Sequence, residues 1–309
     1  MHQPDTFSPI PGRAEVVAPG VRRILCDNPS PYTFVGTNTY LVGQGGGVAV
    51  IDPGPLDALH QEAILAALAP GEKITHILVT HAHGDHSPLA RPLADVTGAP
   101  VLAYGDYRAG QSEVMQRLAA EADLGGGEGT DRLFAPDESL PDGAKISGDG
   151  WRLQAIWTPG HFCNHLCFDL DAGAGYGTIF SGDLVMGWAS SLVSPPDGDL
   201  TQFMESCAKM RARPARLYLP GHGDVIADPA ARVDWLIAHR LGREAGILEA
   251  LAAGPGTASD LAARVYTDIA PQMLPAAARN VLAQLIDLMG KNKVTVAGEL
   301  SFSSVFSLA

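Results

Sequence analysis

The sequence has few cysteines and no apolar run long enough to cross a membrane. Its four cysteines, Cys26, Cys163, Cys167 and Cys207, include no pair with CxxC spacing. So few thiols in 309 residues indicate reduced cysteines and a cytoplasmic protein rather than a disulfide scaffold. A membrane-spanning helix needs roughly 18–20 consecutive apolar residues, and no run reaches that length. We therefore expect no membrane partner.

A secretory signal and an excess of positive charge are also missing. The stretch "MHQPDTFSPIPGRAE" has neither a basic start nor an apolar core, so we expect a short, loosely ordered proline-rich arm instead of a signal peptide. The net charge of −13 argues against strong non-specific attraction to nucleic acids or anionic membranes. It does not exclude a nucleic-acid substrate, because a bound metal can supply local positive charge.

The chain does contain alternating strand-like and helix-like runs up to about residue 227. Strands are predicted within 38–43, 47–52, 73–80, 99–104, 151–161, 164–171, 176–184 and 215–224, and helices at 56–69, 88–98, 111–123 and 199–214. Residues 124–131, "LGGGEGTD", indicate a flexible loop. From residue 228 a long helical pattern is followed by two helices and two short strands, "KVTVAG" and "ELSFSSV". We place the boundary there, which predicts domains 1–227 and 228–309.

The hexad "HAHGDH" is the most informative stretch of the sequence. It places His81, His83, Asp85 and His86 directly after an apolar strand. Such a strand end can aim several side chains into one cleft, and Gly84 lets the backbone turn sharply between them. Imidazole and carboxylate groups are common metal ligands, so the hexad predicts a metal site. A solvated histidine cluster without a ligand is the alternative.

The same arrangement of an apolar strand, a glycine and a ligand-type side chain recurs three times. "TPGH" places His161 after "LQAIW", "FSGD" places Asp183 after "YGTI", and "LPGH" places His222 after "RLY". Any one of these could be a capping or buried hydrogen-bonded residue, but four such strand ends together favour a shared metal site.

Asp52 and His165 each have two interpretations, one as a residue that supports the metal site and one as an ordinary structural residue. Asp52, in "VAVIDPG", could orient a ligand histidine or form a turn or helix cap. His165 could support the site or be an ordinary buried histidine. We interpret the remaining histidines as structural or surface residues: His2, His60, His76 and His239. Cys163 and Cys167 are interpreted as core or lining residues.

"THAHGDH", "TPGH", "SGD" and "PGHG", in this order, resemble the motifs of the metallo-β-lactamase-fold hydrolases over about residues 30–226. The resemblance implies an α/β fold, a four-layer αβ/βα sandwich with a dinuclear site at its edge. It implies His81, His83 and His161 on one metal, Asp85, His86 and His222 on the other, and Asp183 with a hydroxide bridging them. Two Zn²⁺ are expected, although His/Asp sites also suit Fe or Mn. Asp85 and Asp183 are the predicted catalytic carboxylates.

The C-terminal part is similar to the winged-helix-like α+β extension of the β-lactamase-like-protein-2 type. In that branch some members cleave single-stranded RNA, and related fungal proteins hydrolyse acyl-carrier thioesters. The core is also similar to glyoxalase II, which hydrolyses a glutathione thioester. Antibiotic-hydrolysing zinc enzymes commonly have Cys where this chain has Asp183, so the resemblance argues against β-lactam hydrolysis as the main activity.

Three functions follow as hypotheses. The first is a dinuclear-zinc hydrolase that uses a metal-bridging hydroxide on a small thioester or ester. The second is a metal-dependent single-strand endoribonuclease, and the third is a non-catalytic metal-binding protein. From Arg240 to Ala309 there are six Lys/Arg and six Asp/Glu, not the basic surface of a nucleic-acid reader. We therefore expect a small-molecule substrate rather than RNA, and a C-terminal segment that packs on the core. A dimer contact is a further possibility for that segment.

Overall fold

The first half of the chain forms one mixed sheet with its helices on one face. The computed structural model describes residues 7–127 and 129–309. Within these residues the first sheet has seven strands, side by side in chain order. They are β1 (Ala14–Ala18), β2 (Val21–Leu25), β3 (Asn38–Val42), β4 (Val48–Ile51), β5 (Ile74–Leu78), β6 (Val101–Ala103) and β7 (Glu138–Ser139). Helices α1 (Ala58–Ala66) and α2 (Ala90–Thr97) connect the parallel strands, and α3 (Glu113–Glu121) follows β6.

A second sheet faces the first across an apolar interior. In the described residues it has five strands: β8 (Lys145–Gly148), β9 (Trp151–Trp157), β10 (Leu166–Ala172), β11 (Thr178–Gly182) and β12 (Leu217–Pro220). Helix α4 (Leu200–Arg211) connects β11 to β12, which pair in parallel. One buried cluster joins side chains of both sheets, including Tyr40, Ile51, Leu153 and Phe168. The alternating apolar residues of both sheets therefore pack against each other.

Helices cover the outer faces and complete the sandwich. Ile64 of α1 and Leu93 of α2 are buried on the first sheet. Phe203 and Cys207 of α4 are buried on the second. The order helix, sheet, sheet, helix confirms the predicted four-layer αβ/βα architecture. Each sheet is covered on its outer face, so strand ends at the edge are where polar side chains can meet.

The C-terminal part has the predicted helix and strand order of a winged helix. It contains α5 (Pro229–Ala252), α6 (Ala258–Val265), a short 3₁₀ helix (Pro271–Met273), α7 (Leu274–Gly290), β13 (Val294–Val296) and β14 (Phe306–Leu308). Asp228 caps α5 through the amide of Ala231. The first turns of α5 pack in the cluster beside α4, and its last turns pack against α6 and α7. The boundary at 227/228 stays a prediction, because this one helix contributes to both parts.

Two local features differ from the sequence predictions. Strands β1, β2, β7 and β8 were not predicted. The second wing strand was predicted at 299–305, which is wrong: β14 spans Phe306–Leu308, where Phe306 is fully buried and pairs with Val296. Residues 299–305 include Ser301, Ser303 and Ser304, which hydrogen-bond to one another in a turn instead.

The predicted N-terminal arm lies partly outside the described residues, as does His2. From Phe7 onward the structure describes the chain, and the Phe7 ring stacks on Phe34 with centroids 6.2 Å apart. In the described part of the chain, every helix is too short or too polar to cross a bilayer. All four cysteines are free and buried, as expected for core or lining thiols.

Candidate metal centre

Four strand ends bring the predicted ligands to one edge of the sandwich. The hexad follows β5, His161 follows β9, Asp183 follows β11 and His222 follows β12. The side chains of His81 and His86 are completely buried, and His222 is 1% exposed. Burial of so many polar groups in one place requires partners, and the arrangement of their donor atoms identifies what those partners can be.

The hexad is a tight turn that the loop 129–131 holds in place. The amides of His86 and Ser87 both donate to the carbonyl of His83 at 3.0 Å. The Gly84 amide donates to the carbonyl of Gly129 at 2.7 Å. Gly84 lies in the predicted turn, but it is not among the described residues with a positive φ, so its backbone conformation does not by itself require glycine. A Cβ at Gly84 would lie 3.3 Å from that Gly129 carbonyl, so close approach of the loop is what favours glycine here.

His81, His83 and His161 form one group of three imidazoles, which we call the His-only group. Nδ1 of His83 lies 2.8 Å from Nε2 of His81 and 3.1 Å from Nε2 of His161. The ligand atoms of the three side chains lie within 4.8 Å of one another. Donors of a tetrahedral zinc at about 2.0–2.1 Å are separated by about 3.3 Å, so these spacings fit one shared ion.

Asp85, His86 and His222 form a second group, which we call the mixed group. Nε2 of His222 lies 3.2 Å from Nε2 of His86 and 3.1 Å from Oδ2 of Asp85. Nε2 of His86 lies 3.4 Å from the same carboxylate oxygen. These three donors likewise converge within the distances that one metal ion requires.

Asp183 lies between the two groups. Its Oδ2 is 3.6 Å from Nε2 of His161 and 3.4 Å from Nε2 of His222. Its Oδ1 is buried and, within the described residues, has no hydrogen-bond partner. A buried carboxylate oxygen without a donor is costly, and a cation at this point would satisfy it. The donor set therefore fits metal ions, with Asp183 able to serve both groups.

Hydrogen bonds on the far side of the rings fix which nitrogen faces the centre. Nδ1 of His161 donates to the carbonyl of Leu192 at 2.6 Å, and Nδ1 of His222 donates to that of Gly36 at 3.1 Å. Nδ1 of His86 lies 2.9 Å from Oδ2 of Asp52. Each of these bonds directs Nε2 inward, where it can bind a metal once any proton on it has been released.

Asp52 supports both groups from one position. Its Oδ2 accepts the Thr80 hydroxyl at 2.7 Å, and that hydroxyl oxygen lies 2.9 Å from Nδ1 of His81. Since the Thr80 proton points to Asp52, its oxygen accepts from His81 and leaves Nε2 of His81 unprotonated. Helix α1 is capped by Asp57 instead. Of the two interpretations of Asp52, the contacts favour ligand orientation.

His165 contacts the backbone of Asp183 rather than the centre itself. Its Nε2 accepts the Asp183 amide at 3.1 Å, and its Nδ1 lies 2.9 Å from the Thr158 hydroxyl. Burial lowers the pKa of His165 well below its usual value, so the ring is neutral and Nε2 is free to accept. The side chain thus holds Asp183 in place, which matches the supporting role considered for it.

The two groups have opposite protonation tendencies. Burial, reinforced by neighbouring imidazoles, lowers the pKa of His81 well below its usual value and that of His83 to about 3. Burial also lowers the pKa of His161. For His222, burial opposes the proton, but Asp183 and Asp85 outweigh it and raise its pKa to about 10. The carboxylates therefore concentrate positive charge in the mixed group.

The other described histidines, His60, His76 and His239, make contacts outside the two groups. Nε2 of His60 is 2.7 Å from the Thr39 hydroxyl, His76 packs edge-on against Trp151, and His239 stacks on Trp235. These contacts agree with their interpretation as structural residues. Sequence analysis missed Thr80 and the carbonyls of Leu192 and Gly36. Thr80 directly precedes the hexad and could have been noticed, whereas a backbone carbonyl carries no residue-specific signal.

Comparison with known proteins identifies the class. A family model described as Metallo-beta-lactamase superfamily matches residues 32–222, and one described as Beta-lactamase associated winged helix domain matches residues 257–301. The chain therefore belongs to the metallo-β-lactamase superfamily. This finding confirms the predicted fold and makes the chain a metal-dependent hydrolase, so the non-catalytic interpretation is set aside.

Three curated proteins illustrate the sequence similarity of this chain to known relatives. A beta-lactamase-like protein 2 homolog from Drosophila melanogaster is 31% identical over 288 residues, covering 90% of each chain. Lactamase-like protein adaB from Aspergillus niger is 34% identical and covers 77% of this chain, which spans 65% of the fungal protein. An atrochrysone carboxyl ACP thioesterase from a Cryptosporiopsis species is 30% identical, with 77% of this chain and 64% of the relative covered.

Solved structures confirm the same fold over nearly the whole chain. A metallo-beta-lactamase family protein from Thermus thermophilus has a TM-score of 0.74 and 25% identity, covering 94% of this chain and 99% of its own. A beta-lactamase domain protein from Burkholderia ambifaria has a TM-score of 0.78 and 22% identity, covering 99% and 96%. Both similarities include the C-terminal part.

Proposed function

We propose that this chain is a dinuclear zinc hydrolase that cleaves a small thioester or ester. The observation that carries the proposal is the convergence of the two ligand groups on either side of Asp183, whose Oδ1 has no hydrogen-bond partner among the described residues. Imidazole nitrogens and carboxylate oxygens are the usual ligands of zinc. Iron or manganese would suit the same donors.

Each side chain of the centre would have a distinct task in hydrolysis. Two zinc ions bound here would supply Lewis acidity and lower the pKa of a water molecule. The side chain of Asp85 is 28% exposed and that of Asp183 only 9%, so Asp85 is the carboxylate better placed to take the proton of the attacking water. His165 holds Asp183 through its amide.

The reaction balances without any further reactant. Water adds its oxygen to the carbonyl carbon, the C–S or C–O bond breaks, and the proton taken up at Asp85 passes to the leaving thiolate or alkoxide. The products are a carboxylic acid and a thiol or an alcohol. Neither a nucleophilic side chain nor a redox partner is required for this chemistry.

The thioesterase names of the fungal relatives support a thioester as the substrate. Among the described residues, the thiols of Cys163 and Cys167 are buried, and burial raises the pKa of each to about 12. They are therefore poor nucleophiles, which leaves activated water as the attacking group. The four free, buried cysteines also support a cytoplasmic location.

The basic residues of the C-terminal part favour a small substrate over RNA. Phosphate binding needs cationic side chains that are free to meet the backbone. All six Lys/Arg after residue 239 have carbonyl, amide or carboxylate partners within the protein: Arg240, Arg243, Arg264, Arg279, Lys291 and Lys293. Their charges are therefore partly compensated within the protein. The endoribonuclease is therefore the second candidate, supported by the presence of the winged helix.

Metal analysis and parallel assays test the proposal. We expect about two equivalents of zinc per chain, hydrolysis of S-acyl glutathione or acyl-CoA thioesters, and loss of activity on chelation that added zinc restores. His83→Ala should abolish turnover because it removes the nitrogen that both other imidazoles of its group approach. His76→Gln, a substitution in the neighbouring strand β5, is the matched control and should keep full activity.

Two results would overturn the proposal. One is freshly purified protein without stoichiometric metal, and the other is unchanged turnover in His83→Ala. A labelled single-stranded RNA assayed in parallel separates the two substrate classes. Cleavage of RNA alone, abolished by chelation, would contradict the thioester proposal and support the second candidate.

A further inference from the structure

The segment 191–195 connects the winged helix to the metal centre. It follows Asp183 in the chain, and its Leu192 carbonyl accepts the Nδ1–H of His161 at 2.6 Å. That bond decides which nitrogen of His161 faces the other ligands. The position of one backbone carbonyl therefore controls the third donor of the His-only group, so it matters what holds the segment in place.

Two side chains from the C-terminal helices hold the residues on either side of Leu192. Oδ1 of Asn280, on α7, accepts the Val193 amide at 3.0 Å. Arg240, on α5, donates through Nη2 to the Ser191 carbonyl and through Nη1 to the same Asn280 oxygen at 2.9 Å. The carbonyl of Leu192 is thus fixed by one contact before it and one after it.

The contact that Arg240 makes with segment 191–195 is buried from solvent. Ser191 and Val193 are completely buried and Arg240 is 2% exposed. Both terminal nitrogens of the Arg240 guanidinium are hydrogen-bonded and the group lies over the Phe203 ring at 5.0 Å, while its Nε has no hydrogen-bond partner among the described residues. Oδ1 of Asn280 is the point where the Arg240 and Val193 bonds meet, so its loss would release both.

Arg279, next to Asn280 on α7, contacts both segment 191–195 and the loop that begins at Leu124. Nε of Arg279 donates to the Ser194 hydroxyl at 2.8 Å, and its other nitrogens donate to the carbonyls of Leu124 and Pro195. The loop that begins at Leu124 returns to the hexad, where Gly129 accepts the Gly84 amide. Helix α7 therefore contacts segment 191–195, which orients His161, and the start of the loop that holds Gly84 between His83 and Asp85. The direct bond to a ligand ring, that of the Leu192 carbonyl, is to the His-only group.

We infer that Asn280, together with Arg240, is a positioning residue for the metal centre. Through segment 191–195 it holds His161 in the orientation that completes the His-only group, so the winged helix serves the metal site rather than a nucleic acid. This inference rests on the metal centre proposed above. It assigns the C-terminal part a selective effect on one of two metal ions.

Zinc titration of three variants tests the inference. Asn280→Ala removes the acceptor of both hydrogen bonds, whereas Asn280→Asp keeps a carboxylate oxygen at the same place. Arg243→Ala is the matched control, because Arg243 lies one turn beyond Arg240 on α5 but contacts Val265 and Tyr266. The probe is zinc alone, added to metal-free protein in competition with a coloured chelator, and unfolding of each metal-free variant is followed in parallel.

We expect Asn280→Ala to bind one of its two zinc ions about tenfold more weakly, as loss of groups that orient a ligand usually does. Asn280→Asp should restore wild-type affinity within about twofold, and Arg243→Ala should bind both ions normally. Amide hydrogen exchange in 191–195 should be faster in Asn280→Ala than in Arg243→Ala. Asn280 is only half-buried, so we expect the alanine variant to fold.

The outcomes separate this inference from the proposed function. Wild-type protein that binds no zinc would overturn the metal centre itself and the inference with it. Wild-type protein that binds two ions, with Asn280→Ala binding both equally well, would overturn the positioning role alone. So would equal losses in Asn280→Ala and Arg243→Ala, because a general weakening of the C-terminal part would then explain both.

Discussion

The two ligand groups differ in what they are made of and in what holds them. The His-only group has three imidazoles, and one of them, His161, is oriented by a carbonyl in segment 191–195. The mixed group includes the carboxylate of Asp85, and its histidines are oriented by Asp52 and by the carbonyl of Gly36. Support for the mixed group comes from the N-terminal sheet and its loops, and support for the His-only group comes partly from the C-terminal helices.

The protonation states of the groups follow from the same difference. Without a carboxylate in the group, burial keeps the imidazoles of His81, His83 and His161 neutral. With Asp85 and Asp183 beside them, His86 and His222 have pKa values raised above the usual range despite burial. A neutral imidazole binds metal without losing a proton, whereas a protonated one must release its proton first. The two groups should therefore respond differently to mutation and to pH.

The largest expected effect is the loss of the residue that the two groups share. Asp183→Ala removes the carboxylate that lies within 3.7 Å of nitrogens in both groups. We expect kcat/KM to fall by at least about a thousandfold, as removal of a member of a cooperating catalytic set does, and zinc content to fall below two per chain. Steady-state kinetics and metal analysis measure the two effects.

Asp183→Asn is the control variant that keeps the shape of the side chain. It keeps one oxygen and the side-chain volume but removes the charge, so we expect an intermediate loss of zinc. Activity in Asp183→Ala close to that of the wild type would show that the groups do not depend on a shared carboxylate, and the comparison between them would lose its central element.

The next effect is a difference in the pH dependence of metal binding. The pKa of His222 is about 10, so below pH 10 its proton must be displaced, and zinc affinity of the mixed group should rise at least about tenfold per pH unit. The pKa of His83 is about 3, so the His-only group has no proton to displace there and its affinity should stay nearly constant. Zinc titrations of metal-free protein at pH 6, 7 and 8 measure both affinities.

Two metal ions with the same pH dependence would contradict this assignment of protons. Asp85→Asn provides the matched variant. It removes one of the two carboxylates that raise the pKa of His222, so the pH dependence of the mixed group should become weaker while that of the His-only group stays flat.

The sequence pattern indicated the candidate ligand residues and two of their supports, Asp52 and His165, but not the backbone carbonyls and long-range contacts that also hold them. His81, His161 and His222 each follow an apolar strand, and a strand end is a position that local pattern can reveal. The same local pattern cannot show that Asn280 and Val193 are hydrogen-bonded, because nothing in either segment specifies so distant a partner. Carbonyl acceptors such as that of Leu192 cannot be predicted for another reason, since every residue has a backbone carbonyl.

The fold shows the same division between local and long-range information. The alternation of helices and strands was predicted from clear periodicity, whereas the αβ/βα order was implied by the resemblance to the metallo-β-lactamase-fold hydrolases. The shift of β14 to Phe306–Leu308 was not, because it depends on burial of Phe306 against distant side chains of α5, α6 and α7. For Gly84 the sequence identified an important glycine but not its reason, which is the approach of the Gly129 carbonyl.

The smallest expected effect concerns Asp52, which supports both groups, and Thr80, through which it supports His81. Thr80→Val removes the hydroxyl that relays Asp52 to His81, and valine keeps the branched shape that suits this position. We expect the His-only group to bind zinc about tenfold more weakly and the mixed group to be unchanged, because Asp52 still contacts His86 directly. Asp52→Asn should weaken both groups. Thr39→Val, which removes a buried hydroxyl bonded to the Asp52 carbonyl, is the control, and an equal loss there would mean that Thr80 acts only through packing.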